Sequence, residues 1–288
     1  MRRLIAILMA ATAVAVAGCQ DSSSPRDVTP PAAPRGLFSV TGDQRATLSW
    51  LANTEADVAG YRVYEASCAS GSSCPYDRIG ATAATQFVAN GLANGVTRYF
   101  AVSAVDNAGN ESPLTYEDVY DTPRPAGTAT LNNFVNTFAG AGWDFSAFTN
   151  VAADGSNTDI FFGDNGNISQ MFATLHVVAP GDTIPNDIQD AGYATTLDAV
   201  DFSPVGDNAG WSPTGTVELI QDHCYIVWTW DNHYAKFRVT GITRPTPGQP
   251  ATLVRVEWAY QTATGNNELR ARPVHTAVNS PRTVAWLR

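Results

Sequence analysis

Lysine is almost absent from this chain of 288 residues: Lys236 stands alone, and the other sixteen of the 17 basic side chains are arginine. Basic clusters are missing too, and the formal net charge is -10. Such a surface repels phosphate backbones, which excludes a nucleic-acid partner and favours neutral, apolar or cationic ones. Long apolar runs are scarce. The one near the start, Leu4 to Val16, is too short to span a bilayer. Histidine numbers only four. No G-x-S-x-G elbow, H-E-x-x-H pair, P-loop or dinucleotide glycine pattern occurs, so the chain reads as non-enzymatic. Helical signals are nearly missing as well. Only "TLNNFVNTFAGA" predicts a short helix, and no other capped amphipathic segment of ten residues appears.

What is present is 44% hydrophobic residues with 10% aromatics, the composition of a folded chain with room for two domains. The start, "MRRLIAILMAATAVAVAGCQ", has a basic head, an apolar run and then "VAGC". That ending resembles the lipobox of bacterial lipoproteins. The resemblance implies a signal peptide over 1–18, cleavage before Cys19, and acylation of the Cys19 thiol and of its new amine. Several acyl chains on one residue anchor stably, where one does not. An ordinary signal peptide that happens to hold a cysteine is the competing reading. Residues 19–33 then form a polar, proline-stiffened tether. The implied location is the bacterial cell envelope, with the chain lipid-anchored to a membrane, on the periplasmic or surface side of the outer membrane. Cys68 and Cys74 bracket "ASGSS" and predict a local disulfide suited to an oxidising compartment. Two free thiols or half a metal site are the weaker alternatives.

From Pro34 to Thr122 short alternating runs are separated by turn signals, which predicts an antiparallel sandwich. Pro34, Leu48 and Trp50 of "ATLSW", "DVAGYRVYEA", Leu92 of "GLANG" and "FAVSAVDNAGNES" resemble a bacterial fibronectin type III domain across its whole length. The resemblance implies a stalk or spacer. One departure is that Arg98 occupies the place of the family's corner tyrosine. A connector follows over 123–130, and a second all-β, sandwich-like domain is expected over 131–288.

In that domain "HCYIVWTW" and "HYAKFRVTGI" flank Asp231-Asn232, which predicts a two-residue hairpin turn. The pairing would set Trp230 against His233, Trp228 against Ala235, Ile226 against Phe237 and Cys224 against Val239, all on a core face. His223 and His233 would then lie on opposite faces and form no joint metal site. The run "TLVRVEWAYQT" adds a third strand with Val254, Val256, Trp258 and Tyr260 inward. Lys236 would sit outside, paired across strands with Glu257.

"GWDFSAF", "DIFFG", "CYIVWTWDNHYAKFRV" and "VRVEWAYQ" resemble the HmuY-type haem-binding lipoproteins over about half of this domain. The resemblance implies a β-sandwich and haem, or a similar flat ligand, as cofactor. No ligand motif carries over. His176, Met171 and His275 are the axial-ligand types outside the meander, and each is also an ordinary core or surface residue. The alternative is a carbohydrate-binding or adhesive module that contacts a glycan or a surface protein, suggested by seven tryptophans. Asp144, Asp159, Glu218 and Glu257 are carboxylates that suit glycoside chemistry by type alone. "GDNGN", Gly163 to Asn167, suits calcium or, more simply, a turn.

Overall fold

The computed structural model describes residues 26–69, 74–117, 119–206 and 209–269. Cys19 and His275 lie outside them. Strands form all regular structure among the described residues apart from one 3-10 turn, Leu197–Ala199. The all-β expectation holds.

The first sandwich is built from β1 (Arg35–Gly42), β2 (Arg45–Leu51), β3 (Val58–Ala66), β4 (Asp77–Thr82), β5 (Gln86–Asn90), β6 (Arg98–Asp106) and β7 (Val119–Asp121). A three-stranded sheet, β1-β2-β5, faces a four-stranded sheet, β4-β3-β6-β7. This is the fibronectin type III layout. The alternation read in "ATLSW" is the cause: Ala46, Leu48 and Trp50 all point into the core. There Trp50 meets Tyr61 edge to face at 5.3 Å. Arg98, at the corner position, pairs with Glu65 at 3.4 Å instead of supplying a phenol. Cys68 and Cys74 form the expected disulfide.

The second sandwich uses β8 (Ala126–Asn132), β9 (Gly142–Asp144), β10 (Thr149–Val151), β11 (Ile160–Asp164), β12 (Ser169–Ala173), β13 (Leu175–Ala179), β14 (Asp182–Pro185), β15 (Asp187–Tyr193), β16 (Thr216–Glu218), β17 (His223–Trp228), β18 (Tyr234–Thr243) and β19 (Leu253–Gln261). β8 begins inside the stretch read as a connector. It also replaces the helix expected in "TLNNFVNTFAGA": Leu131 lies in β8 opposite Val254, and turns follow it. Asn133 fixes those turns, its Nδ2 donating to the carbonyls of Asp164 at 2.7 Å and Ala251 at 2.8 Å.

One five-stranded sheet, β10-β9-β11-β12-β16, packs on another, β15-β17-β18-β19-β8. Phe145, Ile160, Phe162, Met171, Phe237 and Val254 fill the space between them. Burying each such side chain stabilises the fold by about 1.5–3 kcal/mol. β13 and β14 form a separate two-stranded ribbon.

The β17–β18 register differs by one residue from the sequence reading. Trp228 pairs with Tyr234, Val227 with Ala235, Ile226 with Lys236, Tyr225 with Phe237 and Cys224 with Arg238. A one-residue slip exchanges the faces of a strand. Tyr225 and Val227 therefore face the main core, while Cys224, Ile226 and Tyr234 join a second cluster with Ala194, Val200 and Leu269. Trp228 is only partly buried there, against Trp211 and Tyr234. The central sheet thus carries apolar clusters on both faces.

Lys236 falls on the inward side of that second cluster. It is 1% exposed, not solvated. Its Nζ donates to the Val200 carbonyl at 3.0 Å and lies 3.7 Å from Asp198. Glu257 pairs instead with Arg238, at 3.1 Å. His223 and His233 sit on one face of the hairpin but at its opposite ends, so they still form no joint site.

Candidate functional site

One end of the second sandwich gathers polar and aromatic side chains from distant segments. β9 ends at Asp144, whose Oδ1 accepts from the amides of Ser146 and Ala147 at 2.9 Å each. That turn places Phe145 against Tyr260, stacked at 5.9 Å, and Phe148 against Trp258, stacked at 5.6 Å. Asp159 precedes β11 and is 3% exposed. Its Oδ2 accepts from the Phe145 amide at 2.8 Å. β13 contributes His176.

The segment between β17 and β18 supplies the rest. It spans residues 229 to 233, with Asn232 at φ 62°, and is longer than a two-residue turn. The Thr229 side chain organises it by donating to Asp231 Oδ1 at 2.6 Å and accepting from the His233 amide at 3.1 Å. Asn186 ties it to the sheet. Asn186 Oδ1 accepts from the Trp230 amide at 2.7 Å, and its Nδ2 donates to the Asp159 carbonyl at 3.2 Å. Trp230, 39% exposed, then stacks on His176 at 4.7 Å with the planes 18° apart. His233 lies 3.1 Å from Asp231 through Nδ1 and 3.1 Å from Thr264 Oγ1 through Nε2. Beneath Trp230, His176 Nε2 is 3.9 Å from Asp159 Oδ1, beyond hydrogen-bond reach, and has no partner.

The electrostatics of this end are anionic. Burial pushes Asp159 up to about 7, and Asp144 and Asp231 push the same way. Burial holds the His176 imidazole below its ordinary value, against the pull of Asp231, of a backbone hydrogen bond with Thr158 and of Asp144. Among the described residues no arginine or lysine forms an ion pair with Asp144, Asp159 or Asp231.

Of the candidates named from sequence, this end unites Asp144, Asp159 and His176. Met171 is not available: it is fully buried between the sheets, where it fills core volume. His176 has one ring face covered by Trp230. Neither offers an iron ligand on an open surface. Glu218 ends β16 and Glu257 pairs with Arg238, so both lie elsewhere. "GDNGN" is a turn: Asp164 binds Arg244 at 2.8 Å and accepts from the Gly166 amide at 2.7 Å. Cys224 is buried as expected, though on the other face, and burial pushes its thiol up to about 11, against Lys236 and Arg238. A thiol held there is inert. Asp27, Asp57 and Asp106 bring carboxylate oxygens within 4.8 Å of one another on the first sandwich. Asp106 there accepts from the amides of Ala108 and Asn110 and serves the turn.

Sequence reasoning missed Trp230, Asp231, His233 and Asn186. The signal was present in "TWDNH", but it was read as strand and tight turn.

The chain matches no family model. It is similar to an amylopullulanase of Thermoanaerobacterium saccharolyticum, 28% identical over 173 residues, covering 58% of this chain and 13% of that protein. A second amylopullulanase, from Thermoanaerobacterium thermosulfurigenes, is 32% identical over 107 residues, 37% of this chain and 6% of that protein. The chain thus spans a small part of the length of these relatives. Among solved structures, a fibronectin-type-III-like protein from Clostridium thermocellum is 27% identical over 34% of this chain and 98% of its own, with a TM-score of 0.28.

Proposed function

We propose that this chain is a non-enzymatic, carbohydrate-binding module of the bacterial cell envelope. In this reading a lipid on Cys19 anchors it, and the fibronectin type III sandwich spaces the second sandwich from the membrane. The observation that carries it is the Trp230 platform: a half-exposed indole held flat on His176 and bordered by carboxylates. An indole face stacks on the apolar face of a pyranose, and carboxylates accept from its hydroxyls. Similarity to stretches of two amylopullulanases supports a carbohydrate-linked role. The retarded migration of the full chain in gels containing amylose, pullulan, chitin fragments or chitosan tests the reading. Retention by at least one polymer is expected, and Trp230→Ala should abolish it while the fold persists, with the melting temperature lowered by only about 3–8 °C. Free migration through every polymer would refute it.

A further inference from the structure

We infer that the Trp230 site prefers a carbohydrate carrying a protonated amine, an amino sugar, over a neutral one. The inference rests on the carbohydrate reading and names the ligand class within it.

Charge is the first argument. Elsewhere in the described structure several carboxylates pair with arginine or lysine, Glu65 with Arg98, Glu111 with Arg62, Asp164 with Arg244, Glu257 with Arg238 and Asp198 with Lys236, though Asp27, Asp57 and Asp106 lie together without such a partner. At this end Asp144, Asp159 and Asp231 act on one another and on His176, with no such partner. His233, beside Asp231, is the other titratable nitrogen here. A carboxylate buried without a counter-charge costs several kcal/mol when ionised. The protein leaves that counter-charge unprovided at Asp159, and burial disfavours the charged form of the His176 imidazole 3.9 Å from it.

A second observation is independent of the acidic groups. His176 is 8% exposed, and its Nε2 has no hydrogen-bond partner while aimed at Asp159 Oδ1. Buried polar atoms in folded proteins are nearly always satisfied, so an orphan aimed into a polar cluster marks a place where a ligand completes the bonding.

The third argument is the indole itself. Trp230 has one face on His176 and remains 39% exposed. A cation over an indole face is attracted by the ring's quadrupole, and a nearby carboxylate adds a charge-assisted hydrogen bond. A glucosamine unit carries a stacking face and an ammonium group on one ring. A glucose unit brings the face alone.

Titration calorimetry of the full chain at neutral pH, with a glucosamine hexamer, its N-acetylated counterpart and a glucose hexamer, decides the matter. Acetylation keeps the ring and removes the charge. The glucosamine hexamer should bind on the order of tenfold tighter than the other two, with the margin shrinking as salt rises. Asp231→Asn and Asp159→Asn should each narrow the margin. Asp231 is the more exposed of the two, so a fold defect at the buried position does not block the test, and melting curves verify each variant. Equal affinity for free and acetylated hexamers, tighter binding of the neutral ones, or a margin unchanged in both variants would overturn the inference while the carbohydrate reading stands. Absence of binding by all three, together with free migration through all four polymers, would remove both.

Discussion

Replacing Lys236 tests the buried face of the central sheet. Its stem packs against the second cluster, and its Nζ donates to the Val200 carbonyl at 3.0 Å. Lys236→Ala removes about three buried methylenes, or about 2.4 kcal/mol at ~0.8 each, before any cavity is counted. It also strips a donor from a carbonyl, which costs ~1–3 kcal/mol if water cannot replace it. Against this, an ammonium no longer has to be held out of water. Asp198 is largely open and is not stranded by the change. The net expectation is a loss of about 3–4 kcal/mol for Lys236→Ala. Lys236→Met keeps the stem and should lose only about 1–2 kcal/mol. Urea unfolding of the full chain, followed by tryptophan fluorescence, measures both, with the transition of the second sandwich resolved from that of the first. A cross-strand surface pair would contribute only ~0.2–1 kcal/mol. If both variants cost less than about 0.5 kcal/mol, the buried placement of Lys236 is wrong.

Other expectations follow from single contacts. Burial raises Glu268 to about 7 and Asp121 to about 6, with Arg124 beside both. A carboxylate whose folded value is raised stabilises most below its unfolded value, and that contribution is lost as pH rises through about 6 to 7. Glu268→Gln should therefore gain on the order of 2 kcal/mol over the parent above about pH 8 and little in acid, as read from melts across pH. A gain that is flat with pH would contradict this. A Cβ on Gly163 would sit 2.4 Å from the Phe134 ring, which packs against Phe161 at 5.2 Å. Gly163→Ala should cost about 1–3 kcal/mol by overpacking, and a stability equal to the parent's would show that Phe134 does not cover that strand. Cys19→Ala should abolish incorporation of labelled fatty acid in cells, and persistent labelling would remove the anchor from the proposal.

The sequence was most legible where one face of a strand is apolar and the other is not. In β19, Val254, Val256, Trp258 and Tyr260 alternate with Arg255 and Glu257, and the strand sits as read. In β17 both faces are apolar: Tyr225 and Val227 on one side, Cys224 and Ile226 on the other. Alternation then carries no information, and register passes to the turn. "TLNNFVNTFAGA" failed for a related reason. Leu131, Phe134, Val135 and Phe138 mimic a helical spacing, yet the pairing of β8 with β19 and the side-chain bonds of Asn133 outweigh local preference. The candidate site was legible only by residue type. Asp144, Asp159, His176 and Trp230 come from separate segments, and no local spacing announces that they meet.

The exposed tryptophan and the flipped face of β17 have one cause. A two-residue turn at Asp231-Asn232 would have kept Trp230 in the strand, on the core face. Thr229 instead closes a longer loop through Asp231 and the His233 amide, which shifts β17 by one residue against β18. The same shift lifts Trp230 out of the ladder onto His176, while Lys236 keeps the face opposite Phe237 and is buried because the Val200 segment covers that face. Trp230→Ala should then cost only about 1–2 kcal/mol, since it loses a partly solvated stack, whereas Tyr225→Ala should cost about 3–5 kcal/mol by opening the main core. Denaturant midpoints of the two variants decide between the registers. A Trp230→Ala cost equal to or above that of Tyr225→Ala would restore the tight turn and dissolve the platform.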